Sequence, residues 1–535
     1  MRTELILGIL LIISFQAGAN YLPDTLIWSG QIDIYDDVYI DEQTTLVIEP
    51  GTIITAHNRS KIETNGNVFA HGQFDNKIIF TAADTVGLYD TAAPYGGWNG
   101  FHLLNNPNGK AVFNNCVFKY GKANVPGSWH TWQYQTDTIS ANRGGAMRVV
   151  DYGLIELDSC SFLYNFARTR GGGLYCDNLN NIIISNSLFQ NNKTLAFGGA
   201  IYSNDHDSLY ITNNVLLNNY AFSTYPNPQF PFIHYNGDGS AMYISNTWPG
   251  LAYCLVNYNR IHNNTSLRAI FFSTQEVHFY NNIMTNNFNA RTLQFSRLPS
   301  TNRVYNNTIA HNWFWAILPG IYTASEDIIF YNNILWNNFS NTNNDDVIKW
   351  TYNEPTVFHN LIWEGRAPGG PMITDDPLFV NPAPGYGPDY NGWEYDWSLQ
   401  DISPAVNTGT PDTTGLSIPP YDILGNPRIF GGRIDMGAYE NQNVWVSLPE
   451  NPLVNARLLT APNPFRDMFV VELFGPEKVK RISVYNQTGT IVRQMETLWH
   501  EGLVSMDMNG FASGLYVLVV EYENGTVKTE KMLKQ

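Results

Sequence analysis

An alternating apolar stretch followed by Asn-x-Φ-x-x-Asn, with Φ apolar, recurs through the middle of the chain. A chain patterned this way folds as a stack of like units rather than around one centre. The copies are NSLFQN at Asn186, NNVLLN at Asn213, NRIHNN at Asn259, NIMTNN at Asn282, NTIAHN at Asn307, NILWNN at Asn333 and the imperfect NLIWEG at Asn360. Two earlier copies put cysteine first, CVFKYG at Cys116 and CSFLYN at Cys160. Start-to-start spacings are 23, 25, 26 and 27 from Asn259 onward, and 26 and 27 from Cys160 to Asn213. The intervals from Cys116 to Cys160 and from Asn213 to Asn259 are 44 and 46. Each is an ordinary repeat with an insertion of roughly 20 residues added.

A second column keeps step with the first. A small residue followed by an apolar one recurs at Ala146-Met147, Gly173-Leu174, Ala200-Ile201, Ala241-Met242, Ala269-Ile270, Thr292-Leu293 and Ala316-Ile317, often after Gly-Gly. The local alternation has period two, so one face of each strand points inward. The reading is a solenoid of three short strands per coil, with asparagines stacked at one corner as a ladder of amides and small residues at a tight bend. A leucine-rich horseshoe is the rival architecture, but its LxxLxL frame and helical segments are absent.

The segment EPGTIITAHNRSKIETNGNVFAHGQFDNKIIFTA, residues 49–82, resembles the opening coils of exported β-helix proteins, with a turn from Gly66 to Gly72 and Ala70 inside it. Gly96-Gly97-Trp98-Asn99-Gly100-Phe101 fits the step into the next coil. Residues 21–363 thus resemble the right-handed parallel β-helix of the pectin-lyase-like superfamily. The expected fold class is all-β: a right-handed parallel β-helix solenoid followed by a small Ig-like β-sandwich at the C-terminus.

Beyond Gly365 the repeat fades. DDPLFVNPAPGYG at Asp375, SLQDISPAVNTGT at Ser398 and DILGNPRIFGGRIDMGAYE at Asp422 resemble the choice-of-anchor-like closing segment found after many bacterial β-helices. Such a segment is expected to cap the open end of the solenoid, with Asp435 in a cap or turn role rather than a catalytic or calcium-binding one. After a linker comes APNPF at Ala461, then VYNQTGTIV at Val484, GFASGLYVLVV at Gly510 and KTEKMLKQ at the end. This run resembles the type A C-terminal sorting domain of the type IX secretion system. Its motif residues here are Pro462, Asn463, Pro464, Phe465, Gly489, Gly514 and Tyr516. The resemblance implies the secretion translocon and sorting machinery as partners, removal of the tail, and attachment to surface lipopolysaccharide. Independently, short alternating strands with glycine turns read as a small sandwich. The expected domains are a signal peptide 1–19, the β-helix 20–365, its closing segment 366–441, a linker 442–460 and the sorting domain 461–535.

The N-terminus agrees with export. Arg2 precedes the apolar run from Leu5 to Phe15, and Ala17-Gly18-Ala19 gives the small-x-small cleavage pattern. No later segment is long and apolar enough to span a bilayer. The destination expected is the medium or the outer-membrane-attached cell surface. A formal net charge of −17 argues against a nucleic-acid partner. Charged residues are only 14% of the chain, below the usual ~25%, with Asn, Thr, Ser, Tyr and Gly in their place. Cys116, Cys160, Cys176 and Cys254 form no CxxC pair, so no zinc site is expected. Buried thiols are the first reading of these cysteines, and one bridge is the alternative.

Chemistry is harder to locate. The aspartate, Gly-His-Gly and Arg-Ile-Lys signatures of polygalacturonase-type hydrolases are absent as a set, and no stacked acidic column offers calcium ligands. Asp345-Asp346 reads as a solvated turn, with Lys349 the one local candidate base. No metal or cofactor is expected. The site argument is geometric. Residues 121–142 and 221–239 are insertions at the same corner, three coils apart, hence roughly 14–15 Å at strand spacing. The first carries Trp129, His130, Trp132 and Tyr134; the second carries Tyr225, Phe230, Phe232, His234 and Tyr235. Arg168 and Arg170 lie on the short corners between them, with Arg143 at the base of the first insertion, and Arg268 and Arg291 follow on later coils. Two aromatic walls over an arginine floor suit a carbohydrate, including an acidic one. Noncatalytic glycan binding or adhesin-like display is the leading expectation. A polysaccharide lyase or glycoside hydrolase working in this groove, and a passive structural surface protein, are the alternatives. The histidines read as packed or solvated rather than as acid–base groups.

Overall fold

The computed structural model describes residues 24–125, 140–222, 237–247, 252–289, 291–296, 301–314, 321–325, 327–340, 347–363, 372–443, 457–461, 463–474, 478–499, 502–523 and 527–535. The expected signal peptide lies outside them. The chain divides into two compact units, Met1–Asn443 and Val444–Gln535.

The first unit is a parallel β-helix. Among the described residues from Thr25 to Ile373 every strand pairing is parallel with the equivalent strand of a neighbouring coil, in register apart from a shift between Tyr152 and Leu154. One 19-stranded and one 13-stranded sheet run along the stack. The long strands Phe101–Asn114, Met147–Asp158, Leu174–Ser185 and Ile201–Thr212 each supply two faces of a coil by turning a corner. At that corner Asn105, Asp151, Asn178 and Asp205 have φ between 47° and 58°. Asn and Asp are the non-glycine residues that tolerate this left-handed conformation best. In the next coil the two faces separate into Met242–Ser245 and Tyr253–Asn257, which pair with the two halves of Ile201–Thr212. The 13-stranded sheet forms the third face, with strands such as Cys116–Lys119, Ser161–Leu163, Leu188–Gln190 and Ile283–Thr285.

Period-two alternation turns alternate apolar side chains of each strand into the core, and register then stacks like on like. Phe80, Phe118, Phe162 and Phe189 form one such column, with successive ring centroids 4.6, 4.9 and 4.6 Å apart. The core continues through Leu216, Ile261, Met284 and Ile309. A coil by itself leaves this face wet; stacking buries it, at about 25 cal/mol per Å² of apolar surface removed from water.

The asparagine ladder is present twice, once at each end of the third-face strand. At the leading end the Asn214 backbone amide donates to Asn259 Oδ1 at 2.9 Å, and the relay continues through Asn282, Asn307, Asn333 and Asn360. At the trailing end Asn165, Asn192, Asn219, Asn264, Asn287, Asn312 and Asn338 do the same. The residue before each rung adopts positive φ: Asn281, Asn306 and Asn332 at one end, Asn191, Asn218 and Asn286 at the other. This corrects the expected phase of two repeats. Asn186 and Asn213 are the left-handed residues, with φ of 51° and 56°, and Ser187 and Asn214 one position later are the rungs. Cys116 and Cys160 occupy the same column at its start.

Residues 374–443 do not sit as a plug on the stack alone. They lie along the outer flank of the third face, where Ile283, Ile334 and Leu361 turn outward and pack against Phe379, Trp397, Leu399, Ile423 and Met436. Left-handed asparagines of the coils reach into this layer: Asn263 Nδ2 donates to the Tyr390 carbonyl at 2.7 Å and Asn281 Nδ2 to the Tyr421 carbonyl at 2.8 Å. The apolar outward side chains of these coils need that cover. Asp435 is fully buried, its carboxylate accepting from the Asn407 and Asn441 backbone amides at 2.6 Å each.

The second unit is built from a three-stranded and a four-stranded antiparallel sheet. The three strands are Arg457–Ala461, Met468–Phe474 and Gly502–Asp507. The four are Val479–Tyr485, Ile491–Trp499, Gly514–Tyr522 and Val527–Lys534. Phe469, Val471, Ile482, Val484, Val504, Leu518, Val520 and Met532 fill the space between the sheets.

Candidate functional site

The insertion corner of the β-helix is organised by a small parallel sheet of two-residue strands, Lys122–Ala123, Phe166–Ala167, Lys193–Thr194 and Tyr220–Ala221. The insertion carrying Trp129, His130, Trp132 and Tyr134 follows the first of these strands. The one carrying Tyr225, Phe230, Phe232, His234 and Tyr235 follows the last. All nine of those side chains lie outside the described residues. Their roots are three strand spacings apart, about 14 Å.

Between the roots, Arg143, Arg170, Phe197 and Asp238 fall into one line through successive parallel bridges. Beside that line runs an outward-facing column of rings from the first face: Tyr175, Tyr202, Tyr243 and Phe271, stacked at 5.1, 5.3 and 4.6 Å. Each of the first two arginines lies over the ring of the following coil, Arg143 over Tyr175 at 5.5 Å and Arg170 over Tyr202 at 5.3 Å. Arg291 repeats the contact over Tyr322 of the following coil at 4.0 Å, whereas Arg268 lies over Phe271 of its own strand at 5.1 Å. The aromatic face supports the arginine cation through the ring quadrupole.

Polar groups tie this surface together. Arg143 Nη1 donates to Tyr175 Oη at 3.0 Å, and Tyr175 Oη donates to Asp177 Oδ2 at 2.7 Å. Asp177 Oδ1 accepts from Asn204 Nδ2 at 2.9 Å, and Asn204 Oδ1 accepts from Ser245 Oγ at 2.8 Å. Burial pushes the Tyr175, Tyr202 and Tyr243 phenols above their ordinary value, so they stay protonated at neutral pH. Arg170 makes no ion pair among the described residues. Asp238 is fully committed: Arg268 pairs with its carboxylate, and Arg268 Nε also donates to Gln294 Oε1 at 2.5 Å.

The same outward column continues N-terminally as Glu63, His102 and Arg148. Glu63 accepts from Lys61 Nζ at 2.7 Å and lies 3.6 Å from His102 Nδ1. The His102 and Lys61 contacts hold the Glu63 carboxyl down at about 2, against the opposing effect of burial. Burial lowers His102, whose Nε2 faces the Asn99 carbonyl at 2.9 Å.

Arg168, expected on the groove floor, points elsewhere. It is 4% exposed, and its Nη1 donates to the Thr91 carbonyl at 3.3 Å and to Asn124 Oδ1 at 3.1 Å. It belongs to a clasp that sequence reasoning missed. Residues 84–97 form a loop folded around the Lys122 ammonium, which donates to the carbonyls of Gly87, Asp90, Ala93 and Tyr95 at 2.8–3.1 Å. Lys193 Nζ adds a contact 4.2 Å from the Tyr89 ring. The alternation at Lys122 gave a hint, since a lysine there falls on a buried strand.

In the second unit the sorting-motif residues are structural joints, with Pro462 outside the described residues. Asn463 Nδ2 donates to the Lys531 carbonyl at 2.6 Å, and Asn463 Oδ1 accepts from the Leu533 amide at 2.9 Å. The Asn463–Pro464 peptide is cis. Phe465 is buried, and its backbone bonds to Leu533 and Gln535 tie the motif to the last strand. Gly489 takes φ 76° in the turn that Asn486 closes. Gly514 opens its strand at φ 148°, and Tyr516 Oη donates back to the Ala512 carbonyl at 2.7 Å.

No group of three or more His, Cys, Asp or Glu side chains among the described residues is arranged to hold a metal ion. No helix among the described residues is long and apolar enough to cross a membrane. Residues 461–535 match the family model described as the secretion system C-terminal sorting domain. No curated protein matches the chain. The sorting domain is that of the type IX secretion system, and it marks the protein as secreted or attached to the cell surface.

Proposed function

We propose that this secreted or surface-attached protein is a noncatalytic glycan-binding or adhesin-like protein, delivered by a type A sorting domain that follows a linker at 442–460. In this reading residues 20–365 are a pectin-lyase-like β-helix and 366–441 its closing segment. The ligand lies at the insertion corner, on Arg143 and Arg170. In this reading Trp129, His130, Trp132 and Tyr134 of the first insertion, and Tyr225, Phe230 and His234 of the second, are the further ligand-contacting residues. The observation that carries this is the pairing of Arg143 with Tyr175 and Arg170 with Tyr202 on adjacent coils, between the insertion roots. Ring faces pack on sugar C–H groups, and guanidinium forks bind carboxylates or sulfates bidentately. A cationic pair on a chain of net charge −17 favours an acidic glycan as the ligand. Arg168 is left out of the contact set because Thr91 and Asn124 hold its side chain.

The lyase reading has one observation in its favour, the Arg143–Tyr175–Asp177 hydrogen-bonded chain. A buried phenol held protonated is a poor general base at neutral pH, which places binding ahead of it. The test is a glycan array probed with the secreted full chain, followed by product analysis on each hit. Retention of acidic glycans, lost in the Arg143→Ala/Arg170→Ala double variant and without new reducing ends or unsaturated products, supports binding. Turnover would replace this reading with the lyase or hydrolase. No hit on any acidic or neutral glycan would leave a passive structural surface protein.

A further inference from the structure

The column that carries the asparagine ladder begins with two cysteines. Val117 pairs with Ser161 in register, which sets Cys116 directly opposite Cys160 on the adjacent coil. Both side chains point into the core and are buried. Each also faces carbonyls of its own neighbourhood: Cys116 Sγ donates to Asn114 O at 3.3 Å, and Cys160 Sγ to Phe113 O at 3.3 Å. Cys176 and Cys254 also belong to the core, but on the first and second faces, at positions whose register partners are not cysteine. In-register parallel neighbours sit about 4.8 Å apart, inside the 4.4–6.8 Å Cα range of natural disulfides, with side chains pointing the same way.

We propose that Cys116 and Cys160 are an oxidation site, forming an inter-coil disulfide as the exported chain folds in an oxidising compartment. The structure carries both as thiols. In the reaction the two thiols lose two protons and two electrons to a disulfide oxidant, giving one Sγ–Sγ bond and two equivalents of reduced oxidant thiol. Exchange proceeds through a mixed disulfide before the coils close, because the folded core shields both sulfurs and burial raises the Cys116 thiol well above its ordinary range. Further along the column the coils are joined by amide hydrogen bonds instead. The bond would close a loop that contains the first aromatic insertion, residues 126–139, and so would restrain the root of one wall of the corner. Secretion is what makes the chemistry available, since disulfides persist outside the reducing cytoplasm.

The experiment is to express the full chain with export to an oxidising compartment, denature it without reductant in the presence of an alkylating agent, and map the peptides by mass spectrometry. The expected result is a linked Cys116–Cys160 peptide pair, with Cys176 and Cys254 alkylated. Reductant should then make the region 116–160 more sensitive to protease in the wild type. It should have no such effect in the Cys116→Ser/Cys160→Ser variant, which the fold tolerates because Ser187 stands in the same column. Four alkylated cysteines, or a link between any other pair, overturns the proposal.

Discussion

The side-chain oxygen of Asn282 accepts from both the backbone amide and the side-chain amide of Asn259, one coil earlier, at 3.0 Å each. Its own Nδ2 donates to the Val256 carbonyl at 2.9 Å and to Asn307 Oδ1 at 3.1 Å. One side chain therefore satisfies groups on coils on either side of it. Asn282→Ala leaves a buried amide and a buried carbonyl without partners, which costs about 2–4 kcal/mol. Urea unfolding of the full chain, followed by tyrosine fluorescence, should show a lower midpoint. Asn282→Ser, which keeps an acceptor as Ser187 does, should lose about half as much or less.

Asn191 holds φ 58° immediately before the rung Asn192. Asn191→Gly is expected to be near neutral in thermal midpoint. Asn191→Val should destabilise by roughly 1–2 kcal/mol, because a β-branched side chain in the left-handed region clashes with its own backbone. Equal effects of the two substitutions would remove the conformational explanation for asparagine at these corners.

The Lys122 ammonium is the hub of the 84–97 clasp. Lys122→Met keeps the volume of the stem but leaves four converging carbonyls facing a methyl group. Limited proteolysis with mass mapping should reveal new cuts between residues 84 and 97, with the coils beyond Leu174 still protected. Lys122→Arg should not restore protection, since a planar fork cannot address carbonyls arranged around a point charge.

His206 and His262 are buried, and desolvation lowers their pKa values to about 4 and about 3. A histidine lowered in the fold binds its proton in the unfolded chain first. Stability is therefore present above the ordinary value near 6.5 and is lost as pH falls from there toward the folded values. Melting midpoints measured from pH 7 to pH 4 should fall more steeply in the wild type than in His206→Asn/His262→Gln. Each histidine accounts for up to about 1.4 kcal/mol per pH unit inside its window. Parallel profiles would show that neither residue is kept neutral.

If the insertion corner binds acidic glycans through Arg143 and Arg170, raising salt from 50 to 500 mM should weaken capture of an acidic hit several-fold, since exposed charge pairs are screened. Capture by the Arg170→Met variant should be weaker and less salt-dependent. Salt-insensitive capture would shift the recognition onto the aromatic walls.

Much of the architecture was legible because its chemistry is local. Asparagine every 23–27 residues announces stacked amides, and glycine and asparagine at the turns announce the corners. The phase at Asn186 and Asn213 was misread by one residue because two neighbouring positions both favour small polar residues for different reasons. One needs a left-handed backbone, the other an amide or hydroxyl aimed along the axis. Arg168 was placed on the groove floor by its position between the insertions, yet its partner Thr91 is 77 residues away, in a loop whose path no local pattern encodes. Residues 366–441 likewise read as an end cap, and only the outward-facing Ile283, Ile334 and Leu361 show that Phe379, Trp397, Leu399, Ile423 and Met436 pack on a flank of the coils.

The sequence by itself determined the repeat, the corners where insertions are tolerated, and the secretion address, because each is written in residues that act on their immediate neighbours or are read as a linear motif. Tertiary structure decided which side chain of each pair faces inward, what the cationic residues hold, and where the last seventy or so residues of the first unit lie. A slip of one residue reverses the direction of every side chain on a strand, and a partner dozens of residues away leaves no mark in the local pattern.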